Sequence, residues 1–150
     1  MKTKMLLSTL LFTSSIALAN SDNAQPQLFE SKYDFQKTVS VLTETFKEKG
    51  MTVFAHIDHQ KAAKEAGLEM QPATVIVYGT PKAGTPLMVK DPSLALQLPL
   101  KVLVTQTEAN RVDVMLNTAE QVVSRSKTEY SAVENSLAKA EKLIKATISK

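Results

Sequence analysis

The chain is 150 residues long, with 18 Lys and Arg against 15 Asp and Glu, a formal charge of +3 and no cysteine. These values exclude a disulfide scaffold and a lipid-modified cysteine, and they lack the dense basic footprint of a nucleic-acid binder. A chain of this length folds as one domain held by packing alone, burying roughly two-thirds of the surface its unfolded form exposes.

Lys2 and Lys4 open a stretch that turns apolar from Met5 to Ile16 and ends in Ala17-Leu18-Ala19. That is the layout of a secretory signal peptide over residues 1–19, cleaved after Ala19. Its apolar run is about a dozen residues, too short for the ~20 that span a bilayer. The expectation is a periplasmic or secreted protein with no membrane attachment after cleavage and no nucleic-acid partner. Without Lys2 and Lys4 the acidic and basic residues nearly balance, so the exported chain is close to neutral.

Residues 20–27 (NSDNAQPQ) form a polar lead-in, and 28–150 the single domain. Leu28 to Tyr33 alternates and suits a short strand. Asp34 is a good N-cap, and Phe35, Val39, Leu42 and Phe46 follow at helical spacing until Gly50 ends the helix. Met51 to Asp58 alternates again, with Val53, Ala55 and Ile57 expected on a covered face and Phe54, His56 and Asp58 opposite. Asp58 then caps a short helix closed by Gly67. Ala73 to Tyr78 is apolar on both sides, as an interior strand should be.

The stretch YGTPKAGTPLM, residues 78–88, spaces two glycines between a strand and a helix, as a phosphate-cradling loop does. A P-loop needs Lys and then Ser or Thr after its second glycine. Here Gly84 is followed by Thr85 and Pro86, and Pro86 has no N–H to offer a phosphate. The better reading is a helix start, with Thr80 as cap and Pro81 in the first turn. A small anion at that helix terminus, held by Thr80, Lys82, Gly84 and Thr85, is the functional candidate there.

Leu100 to Thr107 and Arg111 to Asn117 alternate as an antiparallel hairpin. Leu100, Val102 and Val104 share one face with Val112, Val114 and Leu116, while Leu103 and Met115 lie on the other. Thr118 and Gln121 form a capping box before a short helix. From Thr128 to Ile148, Val133, Leu137, Ala140 and Ile144 predict one long amphipathic helix, with Glu129 and Glu134 at its start and Lys142 and Lys145 at its end. The sum is an α+β domain: one mainly antiparallel sheet of about five strands with helices packed on one face.

Residues 53–104 carry the segments IDH (57–59), AGL (66–68), YGTPKAGTPLM and LPLKVLV (98–104). In these the chain resembles the domain-of-unknown-function 302 family. The resemblance implies a curved antiparallel sheet of the TATA-binding-protein-like type, often dimeric, with no established activity. The family's usual aromatic, histidine-containing helix after the hairpin is absent; this chain has AEQVVSRSKTEY, so no role for that histidine carries over. A shared fold type says nothing of DNA binding, because function belongs to sites.

His56, Asp58 and His59 supply two imidazoles and a carboxylate, donors suited to zinc or copper. Asp58 already serves as an N-cap, and a strand sends His56 and the helix-bound His59 in different directions. No G-x-S-x-G or cysteine nucleophile is present. The sequence names no cofactor and favours binding over catalysis. The first expectation is a homodimer that pairs through the uncovered sheet face bearing Phe54, His56, Leu103 and Met115, with a small-molecule ligand site at or beside it. The alternative is a metal-dependent or hydrolytic protein with its site at Asp58, His59 and the 79–85 loop.

Overall fold

The computed structural model describes residues 25–149; the signal peptide expected over 1–19 and most of the lead-in lie outside them. Strand β1 (Gln27–Glu30) leads to helix α1 (Phe35–Glu48), strand β2 (Thr52–Asp58), helix α2 (His59–Glu65), strand β3 (Ala73–Gly79) and helix α3 (Pro81–Lys90). Strands β4 (Leu100–Gln106) and β5 (Val112–Leu116), then helices α4 (Ala119–Val123) and α5 (Leu137–Ile148), complete the order. The sheet runs β1-β5-β4-β3-β2, and every neighbouring pair is antiparallel. This is the expected five-stranded α+β architecture.

The ends of α1 and α2 and the start of α4 are where the sequence puts them. The Asp34 carboxylate accepts the Lys37 N–H at 2.8 Å, which starts α1. Gly50, at φ +73°, and Gly67, at φ +74°, close α1 and α2 in the left-handed region that glycine enters without strain. Thr118 and Gln121 make the reciprocal capping box that opens α4.

Leu42 and Phe46 on α1, and Leu137, Ala140, Ile144 and Ile148 on α5, pack with Ile76, Tyr78, Val102, Val104, Val112 and Val114 of the sheet. These sheet residues are the even-numbered set, so the hairpin faces fall as the alternation requires. Phe46 lies flat on Tyr78, with ring centroids 4.0 Å apart and planes 7° from parallel. The pair joins α1 to the end of β3, next to the edge strand β2.

Two expectations need correction. In β2, Val53 pairs with Tyr78 but Ala55 pairs with Val77, so one extra residue, Phe54, is inserted as a bulge. A single inserted residue reverses the parity of everything after it. His56 therefore stands opposite the fully buried Ile76 on the helix-covered face, where its Nε2 lies 2.9 Å from the Thr43 hydroxyl of α1. Ala55 and Ile57, expected under the helices, face the other way, opposite Val77 and Val75. The second correction concerns the C-terminal helix. A 3₁₀ turn over Tyr130–Ala132 precedes a break at Asn135 and Ser136, and α5 begins only at Leu137. Ser131, Asn135 and Ser136 are poor helix formers that compete for backbone hydrogen bonds, and Glu129 and Glu134 fall outside α5.

Asp91 links α3 to the segment after α4. Its carboxylate accepts the Ser93 hydroxyl at 2.5 Å, the Lys127 N–H at 2.7 Å and the Thr128 hydroxyl at 3.3 Å, and only 6% of the residue is exposed. The Ser93 hydroxyl bond, aided by the Lys127 N–H, holds its pKa below the usual carboxylate value despite burial. A lowered folded-state pKa adds stability that is present above the unfolded pKa and is lost as pH falls through the folded one. Asp91→Ala is therefore expected to lower the melting temperature by several degrees at pH 7. The gap to the wild type should narrow below about pH 4, where unfolded aspartate protonates. Thermal melts of both proteins from pH 7 to pH 3 check this.

Candidate functional site

Gly79 ends β3, Thr80 takes the N-cap position of α3, and Pro81 fills its first turn. Contrary to expectation, the Thr80 side chain makes no capping hydrogen bond. Its carbonyl accepts the N–H groups of Ala83 and Gly84 at 2.9 and 3.0 Å. The first turn is closed on itself, and Pro81 has no N–H at all, so few donors remain for an anion.

The loop instead forms a wall of a cleft of about 490 Å³, within the size range of small-molecule sites. Thr80, Gly84 and Thr85 line it; Lys82 does not. The break before α5 brings Asn135, Ser136 and Leu137 to the same cleft. Burial orders the lining by depth. Tyr78, Leu98 and Leu100 are buried and form the floor, while Thr80, Thr85 and Asn135 are exposed and mark the mouth. Met51 and Met88 add adaptable apolar surface. Among the described residues, none that lines the cleft carries a charge.

Tyr78 is the deepest polar group in the cleft. It is 2% exposed, and burial, with the negative charge of Glu141 adding to it, pushes the phenol pKa well above its ordinary value. The hydroxyl is thus a neutral donor throughout the physiological pH range.

Asp58, His59 and the 79–85 loop do not form one site. Asp58 pairs with Thr74 and Gly79 with Thr52, so the two lie at opposite ends of β3, roughly 17 Å apart at ~3.3 Å per residue. The Asp58 carboxylate accepts the Lys61 N–H at 2.9 Å as the N-cap of α2. His56 turns to α1 and His59 opens α2. Among the described residues no three His, Cys, Asp or Glu side chains gather as a metal-binding group.

The sheet face away from α1 and α5 carries apolar side chains that remain open. Leu103 and Met115 pair directly across β4 and β5 and are partly exposed, as are Val75 and Val77. Leu28, Phe54 and Ile57 are 51%, 50% and 44% exposed. Phe54 also lines the cleft, and a Cβ at Gly79 would lie 3.8 Å from its ring. The cleft therefore meets the open face at the bulge. Polar residues interrupt this face; Asp113 is held on it by a two-point bond from Arg111, at 2.9 and 3.0 Å.

Sequence reasoning placed Thr80, Gly84 and Thr85 together but missed Met51, Tyr78, Leu98 and Leu137 as cleft residues. The available signal was the Asn135-Ser136 pair inside an otherwise helical pattern, which marks a break beside a strand end.

The model of the family "Domain of unknown function DUF302" matches residues 28–150. The chain is 34% identical over 88 residues to "Fluoride-specific ion channel FluC 1" of Brucella suis biovar 1 (strain 1330), covering 59% of this chain and 35% of that protein. It is likewise 34% identical over 88 residues to "Fluoride-specific ion channel FluC 1" of Brucella abortus biovar 1 (strain 9-941), covering 33% of that protein. The chain thus spans about a third of the length of these curated relatives. A crystal structure of an uncharacterized conserved DUF302 protein from Bacillus stearothermophilus superposes with a TM-score of 0.70 at 18% identity, covering 83% of this chain and 95% of that one. That likeness establishes the shared fold.

Proposed function

The chain belongs to the DUF302 family, and from that premise we propose that it works by binding. It takes a small apolar ligand into the cleft beside Tyr78 and pairs with a second copy through its open sheet face, as an exported protein in the periplasm or outside the cell. The observation that carries this reading is the cleft itself: about 490 Å³, floored by buried apolar side chains, with exposed hydroxyl and amide groups at its mouth. Few polar groups around a largely apolar concavity is the usual composition of a small-molecule site. Among the described residues no constellation of nucleophile, base and orienting group accompanies it, which favours binding over catalysis.

The relatives named as fluoride-specific ion channels fit this reading. The matched segment is about a third of each, and no helix among the described residues here is long and apolar enough to cross a membrane. We read the shared segment as a module that accompanies a pore and does not line it.

Gly84 tests the site. A Cβ there would meet Leu98 Cδ1 at 3.7 Å and Met88 Cε at 3.8 Å, ordinary contacts on the cleft wall. Gly84→Leu should fill the cleft, and removing a helix-interior glycine gains about 0.5–1 kcal/mol of helix propensity. The expected result is an undiminished melting temperature with at least tenfold weaker binding of the uncharged fluorophore N-phenyl-1-naphthylamine. Equal fluorophore affinity in wild type and variant, or no binding to either, would contradict the proposed site.

A further inference from the structure

We infer that the Tyr78 hydroxyl is the polar anchor of the cleft, and that the ligand class it selects is an uncharged apolar molecule bearing a hydrogen-bond acceptor such as a ketone or ester carbonyl. This rests on the reading of the cleft as a ligand site and narrows it to a chemistry.

Tyr78 is 2% exposed and lines the cleft, yet its hydroxyl has no hydrogen-bond partner among the described residues. Also among those residues, no fully enclosed side-chain nitrogen or oxygen lacks a partner. The Tyr78 oxygen must therefore reach open space, and the space its side chain lines is the cleft. Buried tyrosines nearly always find a partner for the O–H. Here the ring is held in place by Phe46, stacked at 4.0 Å, so the hydroxyl cannot turn elsewhere without breaking the stack. The donor is fixed at the floor and directed at whatever fills the cleft.

The charge of the occupant follows from the surroundings. Burial and the Glu141 carboxylate keep the phenol protonated, so it donates and does not act as an anion. An anionic ligand group at the floor would meet the field of Glu141 with no cation in the lining, since Lys82 lies outside it. A cationic group would lose its hydration without a lining carboxylate to pair with. An uncharged acceptor avoids both costs. The apolar remainder of the ligand then covers Leu98, Leu100 and Leu137, and Met51 and Met88 adapt to its shape.

The test uses two shape-matched probes, 2-acetylnaphthalene and 2-isopropenylnaphthalene, which differ by a carbonyl oxygen in place of a methylene. Displacement of N-phenyl-1-naphthylamine from the wild type should show the ketone binding about five- to tenfold tighter, the effect of one net hydrogen bond. Tyr78→Phe keeps the ring on Phe46 and removes only the oxygen, so it should erase that preference while leaving the hydrocarbon's affinity unchanged. A wild type that binds both probes equally, or a preference that survives in Tyr78→Phe, overturns the anchor while the cleft stands. Failure of both probes and of the fluorophore to bind the wild type overturns the cleft reading and the anchor with it. The wild-type comparison decides the matter even if the variant does not fold.

Discussion

Phe46→Ala is expected to lower the unfolding free energy by about 3–5 kcal/mol, the range for deleting a buried aromatic ring. Phe46 is fully buried at the sheet side of α1, and its ring is stacked on Tyr78. The substitution removes the ring's transfer free energy, leaves a cavity between helix and sheet, and loses the aromatic pairing, itself worth about 0.5–1.5 kcal/mol. Domains of this size have roughly 5–15 kcal/mol in all, so a third or more of the stability goes with one side chain. Urea unfolding should show a lower midpoint with an unchanged slope. The control is Phe54→Ala. Phe54 is half exposed at the bulge, and its replacement should cost under about 1 kcal/mol. Equal costs at the two positions would mean that the covered and open faces have been assigned wrongly.

The second large effect concerns association. Leu103 and Met115 are directly paired across β4 and β5 on the open face. Leu103→Lys together with Met115→Glu puts opposite charges at facing positions, which the isolated sheet tolerates. Two copies pairing through this face would instead have to bury both charges. Desolvation of that kind costs several kcal/mol, so the dimer affinity should fall by roughly a hundredfold. Size exclusion with light scattering should find a dimer for the wild type and a monomer for the double variant at the same concentration. The melting temperature of the wild type alone should rise with protein concentration, as mass action requires of an associating protein. A monomeric wild type, or a variant that associates equally well, would remove the open face as the contact surface.

How far the fold could be read from the chain depended on whether a feature was local. Helix α1 was legible because its cap, its apolar spacing and its terminating glycine lie within 17 residues, Asp34 to Gly50. The β4–β5 hairpin was legible because strict alternation places Leu103 and Met115 opposite Val102 and Val114 without reference to the rest of the fold. Strand β2 was read only as far as Val53. Nothing in TVFAHID marks Phe54 as an extra residue; the bulge arises from how an edge strand fits its single partner. That one residue sent His56 to the helices and Ile57 to the open face. The cleft was legible in part. Thr80, Gly84 and Thr85 stand together in the sequence, but Tyr78 joins them only because α5 starts late and leaves the strand end uncovered. The sequence marks these residues as a helix start with a small anion as its functional candidate; Thr80, Gly84 and Thr85 instead line a mainly apolar cleft.

The methionines allow the site to be observed directly. Beyond residue 19 the chain has Met51, Met70, Met88 and Met115, of which Met51 and Met88 line the cleft and Met115 lies on the open face. With methionine methyl groups labelled with carbon-13, a titration with 2-acetylnaphthalene should shift the Met51 and Met88 signals together and leave Met70 and Met115 in place. Shifts confined to Met115, or no movement of Met51 and Met88 at saturating probe, would show that the cleft is not where this protein takes a ligand.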